Sequence, residues 1–389
     1  MKSSGVMKRL FVCVALGVIG GVIFTSASTA SAQNPINICY TTDFSGVTAS
    51  FGITEAPVVE MVVKEVNAAG GINGRPIKLF PVLDNAADPT KTVGNLKMFK
   101  ELNRCVAIVQ GVTSSTSIAA KAWAEQNHIP IIAPDPATDQ LVQTEGKSWI
   151  FRTEVPISVR MLTALPRLKE LGHDKVSFEG STLAWGTDAL KSLKEHAPRY
   201  GVKVVGEVLA EPKTKDLTIQ AMRLRDAGAQ AVVIAEYEAE TGVWARALNS
   251  IRWKPYMFHG SASVFATTLR TNPPELFEGW ETAQTIDVSK PLVKQAWDKY
   301  EAYTGKRVED EKVPRTWDAI HLLIEAIKLS GNPDDPEAIR DGFYKIKNLP
   351  LAVGRKETRG SFEIGRNHLL TDKDMVVYVV RSGKLVPIK

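Results

Sequence analysis

Short β-branched runs alternate with longer stretches of helical periodicity, and this alternation passes through the chain twice. The first series reads as strand 36–40, a Ser/Gly/Thr loop, helix 57–69, strand 76–83, helix 90–103, strand 106–109, helix 116–127 and strand 129–133. In its first helix Val58, Val59, Met61, Val62, Val63 and Val66 recur at helical spacing, and Gly70-Gly71 ends it. The rhythm restarts after Phe151-Arg152-Thr153 with strand 175–179, helix 185–200, strand 202–209, helix 218–227, strand 231–235, helix 240–251 and strand 255–259. Two further helices fall between 291 and 330, and 374–388 reads as a hairpin. Strand–helix–strand repetition requires parallel pairing with helices on both faces, so two series give two α/β lobes. With 389 residues, 44% hydrophobic and 23% charged, the chain can fill two such cores, which excludes disordered and multi-spanning classes.

Residues 1–32 stand outside the rhythm. Lys2, Lys8 and Arg9 precede the apolar run 10–24, and Ala30-Ser31-Ala32 precedes Gln33. Basic start, apolar centre and small-residue site are the order of a secretory signal, cleaved after Ala32. The run is shorter than the roughly 18–20 residues that span a bilayer. Its removal takes three cations and no acid from a formal charge of +5, so nothing in the charge argues for a nucleic-acid partner. Cys39 and Cys105 lie beyond the signal, on strands expected to run side by side about three residues out of step. That offset puts them about 10 Å apart, too far for a disulfide, so two free, buried thiols are expected.

No G-x-S-x-G, H-E-x-x-H, G-x-x-x-x-G-K-[ST] or paired C-x-x-C occurs, and the six histidines have no ligand spacing. Neither a metal nor a cofactor is indicated. The chain offers instead loops at the C-terminal ends of predicted strands, where open parallel sheets bind ligands. The richest is 111–117, whose Thr113, Ser114, Ser115, Thr116 and Ser117 open a helix. Helix N-termini carry unpaired N–H groups and partial positive charge, so this loop suits a carboxylate. The competing reading is an ordinary N-cap.

Several segments together carry a resemblance: Phe51-Gly52, the run Glu65 to Arg75 (EVNAAGGINGR), Asp84 to Pro89 (DNAADP), Phe151-Arg152, Trp185-Gly186, Glu278-Gly279 and Trp317-Asp318-Ala319. This resembles the periplasmic branched-chain amino-acid-binding proteins of ABC importers across essentially all the chain after the signal. The resemblance implies a type I periplasmic-binding, or Venus flytrap, fold: two doubly wound parallel-sheet lobes joined by three crossovers. Lobe 1 would hold 33–153 plus 285–360, and lobe 2 would hold 154–284 plus 361–389. Within the signature, Asn67 would cap its helix and Asp84 would tie down its own loop. No catalysis is implied. A small carboxylate, either an amino acid or an aromatic acid, would be captured in the interlobe cleft of a periplasmic monomer and delivered to ABC permease subunits in the inner membrane.

Carried over residue by residue, Ser115 with its neighbour Ser114 would hold the carboxylate, and Ala137 or Thr138 would add a backbone N–H or hydroxyl. Trp185, Tyr237 and Phe51 stand where cleft aromatics are expected. Asp135 has two readings, a partner for a ligand amine or the cap of a turn. Where amino-acid binders often carry an acid, this chain has His259-Gly260-Ser261-Ala262. Either Asp135, Glu236 or Glu238 then meets an ammonium, or the ligand has none and His259 meets a ligand hydroxyl. A periplasmic sensor on the same fold and a secreted enzyme are the other function classes considered.

Overall fold

The computed structural model describes residues 34–388; the expected signal segment 1–32 and its cleavage point lie outside them. The first sheet is built from β1 (Ile36–Thr42), β2 (Ile77–Leu79), β3 (Leu83–Asp84), β4 (Ala107–Gln110), β5 (Ile131–Ala133) and β6 (Ile150–Arg152). All its pairs are parallel, in the order β2-β1-β4-β5-β6, with β3 also on β1. One face packs on α1 (Ala49–Ala68), the other on α2 (Pro89–Glu101) and α3 (Ser114–Asn127). Burial on both faces explains the continuous Ala107-Ile108-Val109 and Ile131-Ile132-Ala133 runs, where alternation would mark a half-exposed strand.

After β6 the chain passes through α4 (Ile157–Glu170) into a second sheet. Its strands are β7 (Lys175–Ser181), β8 (Lys203–Ala210), β9 (Ala231–Ala235), β10 (Tyr256–His259) and β11 (Glu281–Gln284), connected by α5 (Ala184–His196), α6 (Thr218–Asp226), α7 (Glu238–Ser250) and α8 (Ala262–Thr271). These strands run parallel in the order β8-β7-β9-β10-β11. Helices α4 and α5 cover one face and α6, α7 and α8 the other. Beyond Gln284, α9 (Pro291–Thr304), α10 (Lys312–Ser330) and α11 (Pro336–Lys345) join the core of the first sheet, next to a short pair β12 (Leu349–Pro350) and β13 (Arg359–Gly360). Finally β14 (Val376–Arg381) and β15 (Lys384–Pro387) add an antiparallel edge beside β11. Among the described residues no helix is long and apolar enough to cross a membrane.

Four expectations need correction. Helix α1 begins at Ala49, not near Pro57, which sits inside it; its first two turns carry the buried Phe51, Gly52 and Glu55. Gly52 is required there, since a Cβ would stand 2.1 Å from the Asp43 carbonyl oxygen. Asn67 does not cap α1: its side chain pairs with both the N–H and the C=O of Ile77, pinning β2 to the helix. The third passage between lobes lies after 368, not near 360. Asn367 donates to the Leu141 and Ile150 carbonyls at 2.7 and 2.9 Å, which keeps 361–368 on the first lobe.

The cysteines are the fourth. Cys39 and Cys105 form a disulfide, with Cα atoms 5.9 Å apart. The register is offset as expected, Cys39 facing Ile108. The residues before β4 are not extended, however: Arg104 has φ 50°, and the Cys105 N–H donates to the Phe99 carbonyl at 3.0 Å. The chain therefore folds back off the end of α2, and strand rise does not measure the gap.

Candidate functional site

In each sheet the strand order reverses once beside the first strand of its series, at β1/β4 and at β7/β9. The loops leaving such a switch point diverge to opposite faces and open a crevice. Both crevices border one cavity, with about 400 Å³ not filled by protein atoms. The first lobe supplies Thr48 after β1, Val112, Thr113 and Ser114 after β4, and Asp135 and Ala137 after β5; Phe51 comes from α1. The second lobe supplies Trp185, Tyr237, Ser261 and Val264, from the loops and helix starts that follow β7, β9 and β10. Glu154, Arg160 and Arg315 close the hinge side.

At the start of α3, Thr113 caps the helix by accepting from the Thr116 N–H. Among the described residues the N–H groups of Ser114 and Ser115 find no acceptor, as the geometry of a helix start leaves them. Ser114 lies on the wall, its Oγ accepting from the Thr138 N–H at 3.3 Å. Ser115 instead reaches across the cleft, its Oγ accepting from the Ala184 N–H at 3.4 Å. The loop 134–138 is fastened from behind by the buried Arg152, which donates to the Pro136 and Thr138 carbonyls. Burial pushes that guanidinium down to about 10, so it stays charged at neutral pH.

Of the aromatics, Trp185 and Tyr237 stand 5.4 Å apart with rings tilted at 58°. Phe51 faces them from the other lobe, with the Lys312 Nζ 4.6 Å over its ring. With Ser115, two further candidates lie off the wall. Thr138 is fully buried, and its hydroxyl bonds to the Asp188 carboxylate of the other lobe. His259 is fully buried and stacks on Phe265 at 5.2 Å. Its Nδ1 accepts from the Ser261 N–H at 3.0 Å, which leaves the proton on Nε2, facing the Thr241 Oγ at 3.1 Å. With both ring nitrogens engaged it has nothing to offer a ligand. Burial lowers it to about 3, so the ring is neutral.

A family model described as periplasmic binding protein matches residues 35–384. The chain belongs to the periplasmic binding protein family. It is 23% identical over 399 residues to Leu/Ile/Val-binding protein homolog 8 of Brucella abortus (strain 2308), covering 98% of this chain and 96% of that one. Among solved structures, a periplasmic binding protein type 1 from Bordetella pertussis Tohama I superposes with a TM-score of 0.82 at 20% identity, covering 91% of this chain and 99% of that one. The branched-chain amino acid transporter substrate-binding protein LivJ from Streptococcus pneumoniae, in complex with isoleucine, gives 0.78 at 19% identity, covering 91% and 100%. The family is one of binding proteins, not enzymes.

Periplasmic binding proteins have two lobes, and here they meet across the cleft. Phe51 and Val112 pack on Val264, Ser50 donates to Glu238, and Lys312 donates to the Thr267 hydroxyl at 2.7 Å. The hinge carries a buried ionic network that the sequence reading missed. Arg315 reaches Asp135 at 2.5 Å and Glu154 at 2.6 Å, and Arg160 reaches Glu154 at 2.8 Å. Glu311 lies behind them and accepts from Ser263 and Thr285. One signal for Arg160 was present: it falls on the apolar stripe of α4 with Ile157, Met161, Ala164 and Leu168, where a solvated cation has no place.

Proposed function

We propose that this protein is the exported substrate-binding component of an ABC import system, carrying a small carboxylate to inner-membrane permease subunits. The observation that carries the reading is the pairing, in one interlobe cavity, of the start of α3, where Ser114 lines the wall and its N–H has no acceptor among the described residues, with the rings of Phe51, Trp185 and Tyr237. Partial positive charge at a helix start suits a carboxylate, and the aromatic wall suits an apolar or ring-bearing remainder. Leucine and isoleucine, bound in the structures of two relatives, belong to this class of ligand. The Cys39–Cys105 disulfide supports export, since such bonds persist in oxidising compartments.

Ligand that binds only the folded, closed protein drives closure and raises stability. A melting screen of small carboxylates should therefore find members that shift Tm, with saturating ligand at 100 times Kd worth about 2.7 kcal/mol. Trp185→Ala should lose that shift while melting cooperatively. A screen in which carboxylates do nothing and sugars or cations shift Tm would overturn the reading.

A further inference from the structure

The acids around the cavity are already engaged. Asp135 is gripped by Arg315, and its second oxygen lies in a fully buried cluster with Glu55, whose own carboxyl burial and the Asp135 charge push well up. Glu154 accepts from Arg160, Arg315 and the Val155 N–H. Glu236 is fully buried beneath the wall, accepts from the Tyr237 N–H, and is pushed up to about 10 by burial, so it carries no charge at neutral pH. Glu238 does not line the cavity and accepts from Ser50 across the rim. A ligand ammonium entering this cavity would have to displace a guanidinium or stay unpaired, and either is costly out of water. Unpaired buried atoms of both kinds lie at the site: among the described residues the Arg315 Nε–H has no acceptor, and the Asp135 Oδ2 has no donor and is itself out of contact with solvent.

We infer that the cleft selects carboxylates that lack an α-ammonium group, such as 2-oxo or aryl-alkyl acids, over the matching zwitterionic amino acids. This rests on the carboxylate reading above and narrows it. The rejection is built into the wall, since both carboxylates that line it, Asp135 and Glu154, are paired with arginines, while the helix-start N–H can donate to a ligand oxygen.

Calorimetry on protein stripped of ligand by unfolding and refolding tests this with matched pairs: leucine and 4-methyl-2-oxopentanoate, phenylalanine and phenylpyruvate, with 3-phenylpropanoate and its methyl ester. The ammonium-free member of a pair should bind at least about 100-fold tighter. An amino acid binding as tightly as its oxo partner overturns the inference and leaves the carboxylate reading standing. An ester binding as well as its acid, or no acid binding at all, overturns both. A gain-of-function variant adds a second arm. Ser261 lines the second-lobe wall and caps α8 by accepting from the Val264 N–H, a role Asp keeps. Ser261→Asp should raise amino-acid affinity at least tenfold and weaken the oxo acids; no change in either direction would remove wall charge as the selector.

Discussion

Glu154, Glu311 and Asp135 lie against two arginines on the hinge side of the cavity, whereas Glu179, Glu236 and Glu240 lie under its second-lobe wall with no cation paired to them among the described residues. Both groups are buried. In the first, burial raises Glu311, but the Arg315 and Arg160 charges and the Thr285 and Ser263 donors outweigh it, leaving Glu311 below the usual range. Burial keeps Glu154 above its ordinary value even with both guanidiniums in contact, because Glu311's charge adds to the rise. For Glu179 and Glu236 no cation opposes burial: Glu179 is pushed well up and Glu236 to about 10, the Tyr237 N–H offsetting only part of its rise. Comparable burial thus leaves Glu311 below its ordinary range and Glu179 and Glu236 well above theirs, and the difference is the presence of a guanidinium. The first group joins both lobes; the second belongs to the second lobe alone.

Removing the guanidinium that separates the two groups should have the largest effect. Arg315→Met strands Asp135 and half of Glu154 as buried carboxylates, and breaking such a pair costs roughly 3–5 kcal/mol. Urea unfolding of the ligand-free protein at neutral pH reads this directly. Adding Asp135→Asn should recover part of the loss, because it removes one of the stranded charges. A loss under about 1 kcal/mol would mean that the hinge carboxyls are as neutral as the floor, and the contrast would vanish.

How far each region was legible follows from the range of its interactions. The alternation of strand and helix is a local period, so the two sheets and their switch-point loops could be read, and with them Phe51, Ser114, Asp135, Ala137, Trp185 and Tyr237 on the cavity wall. Ser115, Thr138 and His259 belong to the correct loops but are held off the wall by bonds to the Ala184 N–H, the Asp188 carboxylate and the Ser261 N–H, which no periodicity marks. Arg315 and Asp135 are far apart in sequence and meet only through the fold, so Asp135 kept two readings when its partner is an arginine. The bridge of Cys39 to Cys105 depended on one left-handed residue, Arg104, that no periodicity marks.

The floor is tested by pH. Glu236 binds its proton far more tightly folded than unfolded, so the folded form holds the extra proton between about pH 4.5 and about pH 10, and stability falls as pH rises through that window. Glu236→Gln keeps an oxygen to accept from the Tyr237 N–H and removes the titration. The variant should be more stable than the parent at pH 9, by on the order of 1–3 kcal/mol, with the gap closing toward pH 5. Glu311 in the hinge has the opposite sign: held low, it contributes stability that is present above its unfolded value and lost as pH falls. A Glu236→Gln variant with the parent's alkaline slope would show that the floor glutamate is already ionised.

The smallest effect is expected where water reaches the carboxylate. Asp188 is half-buried at the cleft rim, accepting from Thr138 and, at 3.2 Å, from the Gln140 amide, with no salt bridge to it among the described residues. It resembles the floor in lacking a partner and the hinge in joining the two lobes, but solvent can stabilise its charge as a guanidinium would. Asp188→Asn keeps an acceptor for Thr138, so unfolding free energy at neutral pH should change by no more than about 0.5–1 kcal/mol. A cost as large as that of Arg315→Met would mean that spanning the cleft matters more than burial, and the contrast would have to be redrawn between residues that bridge the lobes and residues that do not.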